Sequence, residues 1–125
     1  MELRVVGIRG ATSCAADTDG EITVRTQELV QRMISVNGVQ DEDLVSILLT
    51  ATDDLTAAFP ARAVRELGYA DVPLMGAREL DVENGVRRCI RVLIHCYSNL
   101  SRADVKHVYL GEAKSLREDL PAEIP

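Results

Sequence analysis

An arginine stands in the middle of the apolar run CIRVLIHCY, residues 89–97, and few chain arrangements accommodate it. The run is rich in β-branched and aliphatic residues and holds no Gly or Pro, which predicts a buried strand. Successive side chains on a strand point to opposite faces. Ile90, Val92 and Ile94 then share one face, and Arg91, Leu93 and His95 share the other. A guanidinium does not lose its proton in a protein, and burying it unpaired is costly. Arg91 therefore needs a protein carboxylate or an anionic ligand. Arg9 has a similar setting, closing the apolar run of LRVVGIRGAT just before a glycine. Two cations at the ends and interiors of strands suggest a pocket for a small anion. The competing reading of each is an edge residue whose stem covers apolar surface while its head reaches water, or a partner for a structural glutamate.

The 125 residues are expected to form one domain, 1–125, large enough to bury a core without disulfides or a metal. Hydrophobic residues make up 46%, which predicts a soluble globular chain. With 3% aromatics and no Trp, the core must be aliphatic, and there is no stacking platform for single-stranded nucleic acid. The net charge of -6 argues against a nucleic-acid partner and leaves anion capture to local arginines. Cys14, Cys89 and Cys96 are odd in number and lack CxxC spacing, so they read as reduced thiols in a cytoplasmic protein. The segment MELRVVGIRG does not read as a signal peptide, and no segment approaches the ~20 apolar residues that span a bilayer.

Residues 3–9 are expected to form the first strand and 10–17 a loop. Thr18 and Glu21 make the Thr-x-x-Glu capping box that opens a helix. Ile22, Leu29, Val30, Met33 and Ile34 line one face of that helix, and Asn37-Gly38 stops it. LVSILLTA, 44–51, reads as a central strand. Phe59-Pro60 opens a short helix with proline at its first position, Ala63, Val64 and Leu67 facing inward, and Gly68 ending it. Further strands are expected at 72–76, 89–97 and 106–110, with a loop over 77–88 turning at Glu83-Asn84-Gly85 and a helical turn from Ser101 to Asp104. Residues 118–125 read as a loose tail. The order β–α–β–α–β–β–β predicts an α+β (α/β-like) fold, a mixed sheet with two helices packed on one face. The other face would keep apolar side chains at Leu93 and along 44–51. An uncovered apolar face of this kind predicts a homo-oligomer of closed cyclic symmetry.

There is no GxxxxGK[ST] phosphate loop, no GxGxxG after a strand and no nucleophile elbow. His95 and His107 make no metal spacing with each other or with the cysteines, and His107 reads as a structural strand residue. What remains is Arg9, Arg91, Glu79, Tyr109 and the cluster FPARAVR at 59–65. VGIRGAT (6–12), TATDDLTAAFPARAVRELG (50–68), VPLMGARELDV (72–82), RRCIRVLIH (87–95) and HVYL (107–110), with SLREDL (115–120) behind them, run in order across nearly the whole chain. In order and spacing they resemble the AroH class of chorismate mutases, the trimeric α/β type.

The resemblance implies a homotrimer around a central β-barrel-like core, with active sites between neighbouring subunits. It implies conversion of chorismate to prephenate by a Claisen rearrangement, at the branch toward phenylalanine and tyrosine, with no metal and no cofactor. The two carboxylates of that substrate fit the arginines. By the same resemblance Arg91 is the cation at the breaking ether oxygen, and Glu79 takes the ring hydroxyl and faces the developing positive charge. Arg9 would contact substrate carboxylate and ether-side oxygens, Tyr109 would hydrogen-bond a carboxylate, and Phe59 would wall the pocket. Arg65, with Arg62 and Arg117, would supply positive potential near the entrance, and Leu74, Met75 and Gly76 would line the ring side. Gly76 departs from the family, whose members often carry a thiol or hydroxyl there. Two other readings use the same arginines: a non-catalytic trimeric sensor of small carboxylates, and an imine hydrolase on a similar trimeric scaffold.

Overall fold

The strand around Arg91 lies at the centre of the molecule. A computed structural model describes residues 2–117, with the Arg117 side chain outside the description. Its strands are β1 (Arg4–Ser13), β2 (Leu44–Ala51), β3 (Leu74–Arg78), β4 (Cys89–Ser98) and β5 (Val108–Tyr109); its α-helices are α1 (Asp19–Val36) and α2 (Pro60–Glu66). They form one five-stranded sheet in the order β3-β2-β4-β1-β5. Strand β4 is antiparallel to both β1 and β2, whereas β2 with β3 and β1 with β5 are parallel. The fold is α+β, with a mixed sheet and two main helices, as the element order predicts.

Helix α1 forms where its caps and apolar stripe say it should. The Thr18 hydroxyl accepts the Glu21 N–H at 3.1 Å, and Gly38 follows the Asn37 cap at φ 62°. The capping box is one-sided, because the Glu21 carboxylate turns to the Ala15 N–H at 2.7 Å instead of to Thr18. Ile22, Leu29, Val30, Met33 and Ile34 are buried against Val6, Ile8, Ile47, Leu49, Ile90, Val92 and Ile94. Each fully buried Ile or Leu contributes about 1.5–3 kcal/mol of transfer free energy, so this aliphatic layer is the main source of stability.

Four expected boundaries move. β1 runs on through Gly10 to Ser13, where a loop was expected, because the whole stretch pairs with β4 down to Ser13↔Cys89. Gly10 faces α1, where a Cβ would overlap Met33 Sδ and sit 3.0 Å from Leu29 Cδ1, so the glycine lets helix and sheet approach closely. The third strand is 74–78, not 72–76, since Pro73 has no N–H to give a ladder and β3 pairs from Leu74 onward. β4 extends one residue past 97, to Ser98. The last strand is only Val108–Tyr109, not 106–110; its neighbours Lys106 and Leu110 donate their N–H groups to Asn37 Oδ1 and to the Ala11 carbonyl. The expected tail, 118–125, lies outside the described residues.

Register sorts the side chains. Arg91, Leu93, His95 and Tyr97 of β4 stand beside Ala11, Arg9, Gly7 and Val5 of β1 and turn away from the helices. This second face has a small core of its own, Ala11, Cys89, Tyr109 and Ala113, flanked by Val86 and Leu116 of the segments that cross one end of the sheet. The rest of the face stays open, with Val5, Leu48, Met75 and Tyr97 exposed.

Candidate functional site

One register row crosses the whole sheet on that open face: Ala77, Thr50, Arg91, Ala11 and Tyr109, one residue from each strand. Arg91 stands at its centre. The guanidinium is not buried, as expected of a charge inside an apolar strand; the side chain is 47% exposed, because alternation turns it to the face the helices leave uncovered. Its partner is Glu79, just past the end of β3, whose backbone N–H extends the ladder to the Ala51 carbonyl at 2.9 Å. Arg91 Nε lies 3.2 Å from Glu79 Oε2, and the Glu79 side chain is 22% exposed. The Thr50 hydroxyl donates to the same Oε2 at 2.7 Å, and the Leu80 N–H donates to Oε1 at 3.1 Å. The carboxylate is thus held from both oxygens. Among the described residues this is Arg91's one ion pair, and its closest approach is through Nε.

A cavity of about 350 Å³ opens over the pair, with Cys89, Leu80, Val86 and Leu116 in its wall. Burial pushes the Cys89 thiol up to about 11 against the lowering effect of the Arg91 charge, so it is neutral at ordinary pH. A second, wider concavity lies between α2 and the ends of β2 and β3, and Phe59, Arg62, Arg65 and Gly76 line it. Thr52 and Asp53 border both.

The loop between these cavities is tied down at both ends. Asp54 accepts the Arg88 N–H at 3.1 and 3.0 Å, where Arg88 takes the left-handed φ of 44°; Thr52 Oγ1 accepts the Cys89 N–H at 2.9 Å. Burial disfavours the Asp54 charge, yet the hydrogen bonds from Thr52 and Arg88 outweigh it and hold its pKa below the usual carboxylate value. Asp17 accepts the Thr56 hydroxyl and the Thr56 and Ala57 N–H groups at 2.8 to 3.0 Å, which lowers its pKa as well. None of Thr50, Asp17 or Asp54 stands out in the sequence, since each acquires its role only through register or a turn.

The expected site residues separate into groups. Arg91 and Glu79 meet. Phe59, 79% exposed, and Arg65 border the second cavity. Arg62 borders it too, but its charge is engaged by Asp19 at 2.6 Å and Glu66 at 3.6 Å. Leu74 and Gly76 share the helix-side register of Ile47 and Leu49, whereas Met75 joins Leu48 on the open face, so consecutive strand residues do not line one wall. Arg9 sits on the open face opposite Leu93, one row from Arg91, and its N–H donates to His107 Nδ1 at 3.0 Å. Tyr109 is buried to 7% exposure beside Ala11 and Cys89. Neither cavity is lined by Arg9 or Tyr109. The Arg117 side chain lies outside the description. Among the described residues no group of three or more His, Cys, Asp and Glu could hold a metal ion, and no helix is long and apolar enough to cross a membrane.

Comparison with known proteins shows the family. Residues 5–120 match the model of the family described as chorismate mutase type I. The chain is 43% identical over 119 residues to the chorismate mutase AroH of Bacillus subtilis (strain 168), covering 94% of each. It is 45% identical over 117 residues to the chorismate mutase AroH of Thermus thermophilus, covering 93% of this chain and 96% of that one. Its structure is similar to that of a chorismate mutase from Clostridium thermocellum, with a TM-score of 0.86 at 43% identity over 88% of this chain and 98% of that one.

Proposed function

The chain belongs to the chorismate mutase type I family, and we propose that it isomerises chorismate to prephenate at the branch toward phenylalanine and tyrosine. The observation that carries this reading is the Arg91–Glu79 pair, a cation and an anion fixed side by side on an open sheet face. The rearrangement breaks the ether C–O bond and forms a C–C bond in one intramolecular step. No proton moves and no electron leaves the substrate. Its transition state separates charge, with the ether oxygen turning negative and the ring turning positive. A fixed guanidinium stabilises the first and a fixed carboxylate the second, and neither must reorganise during the reaction. The guanidinium of Arg91 meets the ether oxygen, while Glu79 accepts the ring hydroxyl. Folding the substrate into its compact reactive shape adds a positioning contribution.

The carboxylates of the substrate need further cations. Arg9 and Tyr109 suit them but line neither cavity of the chain that carries Glu79 and Arg91. That separation, with the exposed apolar side chains on the same face, supports a homotrimer in which one copy supplies Arg91 and Glu79 and its neighbour supplies Arg9 and Tyr109. Phe59 and Arg65, which line the second cavity, border the entrance on this reading. The three cysteines are free and buried, which agrees with a cytoplasmic setting.

The test is the loss of chorismate absorbance with purified protein and no added metal or cofactor. Rapid loss with prephenate as product, varying little with pH near neutrality, is the expected outcome. Binding of chorismate without conversion would replace this reading with a carboxylate sensor, and turnover of an imino acid instead would replace it with an imine hydrolase.

A further inference from the structure

We propose that Thr50 is a positioning residue for the rearrangement, acting through Glu79; the inference rests on the reading of this site as a chorismate mutase. Thr50 is the register partner of Arg91 across β2 and β4, so both side chains rise from adjacent strands on the open face. Its hydroxyl donates at 2.7 Å to Oε2 of Glu79, the oxygen that Arg91 Nε approaches at 3.2 Å. The Leu80 N–H holds the other oxygen at 3.1 Å. Glu79 follows the last residue of β3, and only its own N–H continues the ladder. Without Thr50 the carboxylate keeps one backbone donor and one half-exposed guanidinium. That guanidinium is the group the substrate recruits. When the ether oxygen draws on Arg91, Thr50 is the donor that keeps Oε2 in place. A carboxylate that must stay anionic and aimed while its cation is shared is an electrostatic group whose value depends on its supporting hydrogen bonds.

The role predicts a particular kinetic pattern. Thr50→Val keeps the shape and removes the donor. We expect kcat to fall about tenfold, ~1.4 kcal/mol of barrier, because the loss is felt as charge develops. KM should change little, since the substrate carboxylates are held elsewhere. Thr50→Ser keeps a hydroxyl and should restore most of kcat. In a Glu79→Gln background Thr50→Val should cost little more, because two residues acting through one group do not add. Circular dichroism and the oligomeric state of each variant show whether the fold is intact. Unchanged kcat in a folded Thr50→Val protein would overturn the proposal. So would an equal penalty with and without the Glu79 carboxylate, or a Thr50→Ser protein as slow as Thr50→Val. Absence of chorismate turnover in the wild-type protein would instead overturn the functional reading, and the role of Thr50 with it.

Discussion

The exposed Arg91–Glu79 pair contributes little to folding, since pairs of this kind are worth about 0–1 kcal/mol. Its geometry has value only where charge develops next to it. Arg91→Ala should therefore leave a folded protein with turnover reduced by about 10²–10³, the usual loss of one such donor. Arg91→Lys should also be slow. Its ammonium cannot pair with Oε2 through one nitrogen and present a planar fork to the ether oxygen with two more. Steady-state kinetics on both variants checks this, and near-normal turnover by either would refute the electrostatic account. Gly76 offers a change in the other direction. A Cβ there would meet nothing closer than the Leu49 carbonyl at 3.9 Å, so Gly76→Ser is sterically permitted. Because Gly76 borders the Phe59 cavity, the added hydroxyl should lower KM for chorismate while leaving stability nearly unchanged. The need of Arg91 for a partner was legible, since alternation along 89–97 isolates the charge. Family resemblance gave Glu79 a place in the site; that it is the partner of Arg91 is a finding of the structure, and Thr50 was missed. Its role depends on which residue of β2 lies beside Arg91, and register is not written in either strand alone.

Elements were legible where one signal dominated. Helix α1 has a cap, a stripe and a stop, and 44–51 is mostly apolar and free of Gly and Pro; both lie where they were expected. β1 was cut short because Gly10 reads as a strand breaker. The structure uses it for a different purpose, the close seating of α1 on the sheet. Gly10→Ala should then lower the melting temperature, with a cost of about 1–3 kcal/mol for forcing Met33 and Leu29 aside in a filled core. Thermal denaturation of the variant measures it. A melting temperature equal to the wild type would mean that the helix can back away at no cost. Activity at low temperature should survive, since Gly10 faces the helix layer and Arg91 the opposite one. The short strand β5 and the shift of β3 were beyond sequence reading for another reason. Both are fixed by what they pair with, and Pro73 and Asn37 decide where the ladders end.

At the scale of the molecule, one chain satisfies its helix side and leaves its other side half built. Aliphatic burial under α1 and α2 is complete, while Val5, Leu48, Met75 and Tyr97 remain exposed around the row that holds Arg91. A soluble monomer gains nothing from such a surface, and a second copy would cover it. Within one chain Arg9 is a diagonal neighbour of Arg91 on that face, so a self-contained site and a shared one are both conceivable from register alone. The cavities favour the shared site, because neither is lined by Arg9. The two arrangements differ when inactive chains are mixed. Arg9→Ala and Arg91→Ala proteins should each be nearly inactive. Co-expressed and randomly assembled in equal amounts, they should recover activity if each site takes Arg91 from one chain and Arg9 from its neighbour. About a quarter of the sites then pair two intact residues, because both neighbours must be of the right kind in closed cyclic symmetry. If each chain built its own site, every site in the mixture would still lack one arginine. Turnover would then stay at the level of the separate variants, and the apolar face would need an explanation other than catalysis.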